Sequence, residues 1–178
     1  MERDKDDPAF KLTSGGSGVG LSLPCMKSDS AYRLVVVAFA VLLGACRIEP
    51  EPIAYGSDAC AHCRMTIVDP THAAQLVTKK GKQFKFDAIE CLVQKLPEWS
   101  PEEIGLLRVA DYAAPGQMTD AKNATYLISK GIRSPMGANL SAFADPESAT
   151  KAQTEHTGRI LKWNELANAL ESVFQGTD

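Results

Sequence analysis

An α+β fold, built from two ββαβ units and a C-terminal helix, is what this 178-residue sequence predicts. Three observations carry the prediction. Two pairs of short strand-like runs are each followed by a stretch of helical periodicity and then by a third strand-like run. Glycine and proline fall between the runs, where turns are needed. The last segment has apolar residues at helical spacing. Antiparallel-rich sheets with helices on one side make the class α+β rather than α/β.

In the first unit, 74–78 and 83–86 flank Lys79-Lys80-Gly81-Lys82, a hairpin whose Gly81 permits an unusual turn conformation. A helix is expected next, with Asp87 as N-cap and Glu90 completing a capping box. Ile89, Leu92, Val93 and Leu96 form its apolar stripe, and Pro97 closes it. Residues 106–112 read as the third strand. The second unit offers strands at 125–129 and 139–144. Asp145-Pro146 then supplies an N-cap followed by proline at the first helical position. Ala149 and Ala152 face one way on this helix, and Gly158 suits its end. Residues 159–163 are the next strand. Asn164 is read as the cap of a last helix with Leu166, Ala169, Leu170, Val173 and Phe174 on one face. The repeat is one of topology, not of sequence identity.

The region before these units reads as an export signal. Lys27 and Arg33 precede the apolar run 34–45, which is shorter than the roughly 20 residues of a membrane span and fits a signal-peptide core. Leu43-Gly44-Ala45-Cys46 resembles a bacterial lipobox, in which Cys46 is acylated after cleavage. Residues 1–25, acidic at Glu2, Asp4, Asp6 and Asp7, do not fit a signal. Translation is therefore expected to begin at Met26, leaving 1–25 a mis-assigned extension and 26–45 a lipoprotein signal peptide. Residues 46–54, with Pro50 and Pro52, read as an extended linker. A globular domain follows over 55–178. The formal net charge is −3, which leaves no basic footprint for nucleic acid.

Of five cysteines, Cys60, Cys63 and Cys91 remain after Cys25 and Cys46 are set aside. An odd number in an exported domain argues against a plain disulfide framework. In Cys60-Ala61-His62-Cys63-Arg64-Met65, extended backbone would set Cys63 and Met65 on one face. A turn would bring Cys60 round to join them. Two thiols and a thioether are soft donors that match Cu(I). Structural zinc normally takes four cysteine or histidine ligands. A redox pair should follow a strand at a helix start, and a structural Cys60–Cys63 disulfide with Met65 in the core is the plainest alternative. Ser134-Pro135-Met136-Gly137 suits a tight turn with Met136 at its tip, either as a further soft ligand or packed on the domain. Met118 reads as packing. Cys91 lies off the helical stripe and either covers the other side of the helix or faces the site; a structural role as a small buried hydrophobe is the favoured reading. His62 lies inside the motif, and His72 and His156 are expected at the surface. No Ser/His/Asp order, phosphate-cradling loop or metalloprotease helix stands out.

Taken together, Cys60-x-x-Cys63-x-Met65, Phe86-Asp87-x-x-x-Cys91 and Ser134-Pro135-Met136-Gly137 with Ala142-Phe143 resemble the NosL family of copper-binding lipoproteins. The resemblance spans roughly residues 55–170. It implies paired ββαβ units similar to part of organomercurial lyase. It also implies capture of Cu(I) at the periplasmic face of a membrane through a lipid anchor, and delivery to nitrous oxide reductase or its membrane maturation complex. By motif position it implies Cys60, Cys63, Met65 and Met136 as metal ligands, in a carrier and not an enzyme. Arg64 stands where the family's motif usually has glycine. The competing reading is an extracytoplasmic thiol–disulfide oxidoreductase cycling Cys60 and Cys63.

Overall fold

The computed structural model describes residues 48–175. The expected extension 1–25, signal peptide 26–45 and lipidation site Cys46 lie outside the described residues. The first sheet holds β1 (Ala74–Thr78), β2 (Gln83–Phe86), β3 (Ile104–Ala110) and β4 (Met118–Asp120), ordered β2-β1-β3-β4. The second holds β5 (Thr125–Ile128), β6 (Leu140–Phe143) and β7 (Arg159–Leu161), ordered β6-β5-β7. All pairings of these strands are antiparallel. In both sheets the first strand of the unit is central, between its hairpin partner and the strand that follows the helix. The fold is the predicted α+β class. Edge strand β4 was not foreseen, because three residues are too few to show an alternating pattern.

Helices α1 (Ile89–Lys95), α2 (Pro146–His156) and α3 (Leu166–Gln175) complete the domain. One core unites the two sheets: Leu76, Phe86, Ile89 and Val109 from the first unit pack in the same cluster as Tyr126 and Leu140 from the second. Backbone joins them too. The Tyr112 N–H donates to the Ala142 carbonyl at 2.8 Å, and Asp111 bridges Ala142 in parallel. That junction lies just after β3, which ends at Ala110 and not at Tyr112 as expected.

Helix ends separate local from tertiary signals. Asp145 caps α2 as predicted, its carboxylate accepting the Ser148 N–H at 2.9 Å. Asn164 does not cap α3. A 3-10 turn over Trp163–Glu165 comes first, with Glu165 accepting the Lys162 N–H at 2.7 Å. Phe174 is 49% exposed rather than part of the buried stripe. The Asp87/Glu90 capping box also fails to form. Ala88 occupies the N-cap without a side-chain bond, while Glu90 is buried and accepts a hydrogen bond from Ser134. The first turn of α1 is enclosed, so the glutamate is used in tertiary contact.

The linker is no free spacer. Gln75 donates to the Glu51 carbonyl (2.8 Å), Gln83 to that of Glu49 (3.1 Å) and Lys85 to that of Pro52 (2.9 Å). Residues 48–53 are thereby pinned to the first sheet.

At the exit of α2, Gly158 has φ +117° and a Cβ there would stand 2.3 Å from the Ile128 carbonyl oxygen. Gly158→Ala is expected to destabilise the domain by about 2 kcal/mol or more, measured by denaturant unfolding; an unchanged midpoint would contradict this packing.

Candidate metal centre

The motif is a closed loop, not a strand. Ala59 pairs with Thr66 in an isolated antiparallel bridge. Within it the Cys60 N–H donates to the Met65 carbonyl at 2.8 Å, and the Arg64 N–H to the Cys60 carbonyl at 3.1 Å. Arg64 closes the loop with φ +69°, in the left-handed region. Glycine adopts that conformation without steric cost, which gives a physical reason for glycine at this place. The expected strand-face alignment of Cys63 with Met65 is therefore replaced by a turn. The Ala61 N–H donates to the Lys85 carbonyl at 2.8 Å, tying the loop to β2.

Helix α1 closes the site from the other side. The sulfur atoms of Cys60, Cys63 and Cys91 lie within 4.8 Å of one another. All three are free thiols, with Cys60 and Cys91 buried and Cys63 half-buried. Of the two directions open to Cys91, the structure shows the one that faces the motif thiols. Helical phase could not reveal it, because Ile89, Glu90, Cys91 and Leu92 are all buried and the turn has no polar face. The spacing Phe86-Asp87-x-x-x-Cys91 was the one sequence signal that pointed to it.

Of the other candidates, Met65 is 56% exposed on the loop. Met136 is half-buried and packs against the core that contains Cys60 and Cys91. Its turn is closed by the Gly137 N–H donating to the Ser134 carbonyl at 3.1 Å. Ser134 in turn donates to Glu90 and accepts the Asn139 N–H at 2.8 Å. The Met136 turn is thus fixed to the residue next to Cys91. His62 is half-buried in the loop, and Met118 packs on the core as expected.

The three thiols are not equivalent. A hydrogen bond from Cys91 lowers the Cys60 pKa to about 4 against the effect of burial, helped by the N–H groups of Asp87, Cys63 and His62. Burial and the neighbouring Cys60 raise that of Cys63. Cys91 is raised by its hydrogen bond to Cys60, by burial and by the Cys60 charge. The cluster therefore favours ionisation at Cys60 and keeps the proton on Cys63 and Cys91. Burial also raises the carboxyls of Asp87 and Glu90 above the usual carboxylate range. Three converging sulfurs, one already ionised, suit a soft metal ion better than a hard one.

His72, expected at the surface, is buried. Its Nδ1 lies 2.7 Å from Asp69 Oδ2 and its Nε2 lies 3.1 Å from Ser141 Oγ. The set has the composition of a hydrolytic triad, but its serine, Ser141, is fully buried. It ties the loop before β1 to β6 of the second unit.

Fold and site define a small α+β domain with a three-thiol cluster shaped for a soft metal. The chain belongs to the NosL family, whose model matches residues 53–170. It is 32% identical over 134 residues to the copper-binding lipoprotein NosL of Stutzerimonas stutzeri, covering 67% of this chain and 68% of that protein. Its fold is similar to the crystal structure of the copper chaperone NosL from Shewanella denitrificans. That match has a TM-score of 0.59 and 20% identity, and covers 67% of this chain and 96% of the other.

Two outcomes are expected. Arg64→Gly relieves a left-handed side chain and should stabilise the domain by up to about 1 kcal/mol in chemical denaturation; destabilisation would contradict the loop geometry. The folded pKa of Cys60 lies below that of a free thiol, near 8.5. Its contribution to folding is thus complete above that pH and is lost as pH falls towards about 4. The stability difference between the reduced protein and Cys60→Ser should shrink over that window in pH-resolved unfolding.

Proposed function

We propose that this chain is a Cu(I) carrier and not an enzyme. In this reading it is acylated at Cys46 and held on the periplasmic face of a membrane. It passes copper to nitrous oxide reductase or to its membrane maturation complex. The observation that carries the reading is the set of three sulfurs within 4.8 Å of one another, contributed by a loop and a helix. Support comes from the names of the relatives, one a copper-binding lipoprotein and one a copper chaperone.

Cys60, Cys63 and Cys91 form the proposed trigonal sulfur core. Met65 and Met136 are the thioethers implied by motif position, and they serve capture and release. A carrier must hold its ion tightly enough to exclude others yet leave one side open to an incoming ligand. Half-buried Cys63 and exposed Met65 form that side. Cys60 is fully buried, which argues against a redox cycle led by that thiolate, because disulfide exchange needs access to the attacking sulfur.

Anaerobic competition with a Cu(I) chelator tests the reading. Cys63→Ser and Cys91→Ser should each weaken binding by about a hundredfold or more, and Met65→Ala by about tenfold. Unchanged affinity in both cysteine variants would overturn it. Loading displaces protons from Cys63 and Cys91, because both thiols are raised and so protonated at neutral pH. Affinity should therefore fall on acidification, with log K changing by about two per pH unit near neutrality. Titration in buffers of different ionisation enthalpy reads the same two protons; a pH-independent constant would exclude them.

A further inference from the structure

At the β1–β2 turn of the first sheet lies a second surface. The β1–β2 turn carries Lys79, Lys80 and Lys82, all exposed. Beside it Phe84 and Trp99 pack edge to face at 4.7 Å, and Lys82 lies over the Phe84 ring at 4.9 Å. These residues line an open cavity of about 430 Å³ whose remaining wall includes Glu102 and Glu103. The Glu103 carboxylate accepts the Ser100 N–H at 3.0 Å. Among the described residues, none of the three lysines forms a close ion pair with a carboxylate, although the Lys80 charge acts on Glu103 across the cavity.

The linker leads to the same place. Pro52 sits by Lys85 and Glu49 by Gln83. The Ile48 side chain reaches within 3.2 Å of where a Gly105 Cβ would stand, beside the Val77 and Thr78 backbone. Followed backwards, the chain therefore runs towards the lysine turn. Cys46 precedes Ile48 by two residues, a reach of at most about 7 Å.

We propose that the Lys79–Lys82 turn, with Trp99 and Phe84, is a membrane-resting face that takes the anionic headgroups of the phospholipid layer. Its orienting role rests on the lipid anchor at Cys46 proposed above. Lysines at a membrane surface are attracted to anionic lipid, by roughly fivefold in partition for each. A half-buried tryptophan has the amphipathic ring that favours the interface. Beyond the other end of β2, Asp87 contributes its N–H to Cys60. It is five residues from Lys82, roughly 15 Å along an extended chain. Resting on the lysine face would therefore hold the thiol cluster off the bilayer, open to a soluble partner.

The test is quenching of Trp99 fluorescence by brominated phospholipid, using the full processed protein in a Trp163→Phe background, reconstituted into vesicles. Quenching should be about threefold stronger in vesicles containing phosphatidylglycerol than in pure phosphatidylcholine. The combined Lys79→Glu, Lys80→Glu and Lys82→Glu variant should lose that difference while binding Cu(I) like its parent. Equal quenching in both lipids, or quenching indifferent to the lysine reversals, overturns the proposal. The intact mass reports acylation at Cys46 separately, so an absent anchor and an absent membrane face are told apart.

Discussion

Enclosure of the first turn of α1 is the constraint on which the rest of the site depends. Ile89, Glu90, Cys91 and Leu92 are all buried there, so each side chain must find a partner inside the protein. Cys91 finds the sulfurs of the motif loop. Glu90 finds Ser134 and through it the turn that carries Met136. Asp87, just before the helix, directs its N–H to Cys60. One helical turn thus sets the positions of both motif elements. Burial raises the Glu90 pKa and so favours its neutral form, which lessens the cost of an Oε2 with no hydrogen-bond partner among the described residues.

The cluster also resolves an electrostatic difficulty. Three clustered thiolates without a cation would repel one another strongly. The protein favours a single charge, on Cys60, and surrounds that sulfur with donors from the backbone and from Cys91. A metal ion would replace the thiol protons, the one Cys91 donates to Cys60 among them, and leave the backbone N–H bonds to Cys60 in place. Such a site is organised before loading, and its open side at Cys63 and Met65 leaves a route for exchange.

Much of the architecture was legible because local signals and tertiary demands agreed. The Gly81 hairpin, the Asp145 cap and the two ββαβ units all appear where turn chemistry and periodicity put them. Legibility ended where long-range burial took over local chemistry. Asp87 and Glu90 have the spacing of a capping box, yet they serve the interior. His72 follows a polar loop, yet it bridges the two units through Asp69 and Ser141. Cys60 and Cys63 could be read from spacing alone. Cys91 was reachable only through the Phe86-Asp87-x-x-x-Cys91 motif, because a turn buried on every side gives no periodicity from which to infer its direction. Arg64 was visible as a departure from the family pattern, but only the backbone explains the pattern, through a left-handed φ at that residue.

X-ray absorption of the Cu(I)-loaded, fully reduced protein tests the central claim most directly, by counting the sulfur ligands of the metal in the wild type and in Cys91→Ser. The account predicts an all-sulfur first shell with at least three sulfurs, falling by one in the variant. An unchanged sulfur count in Cys91→Ser, or a first shell dominated by nitrogen or oxygen, would contradict it.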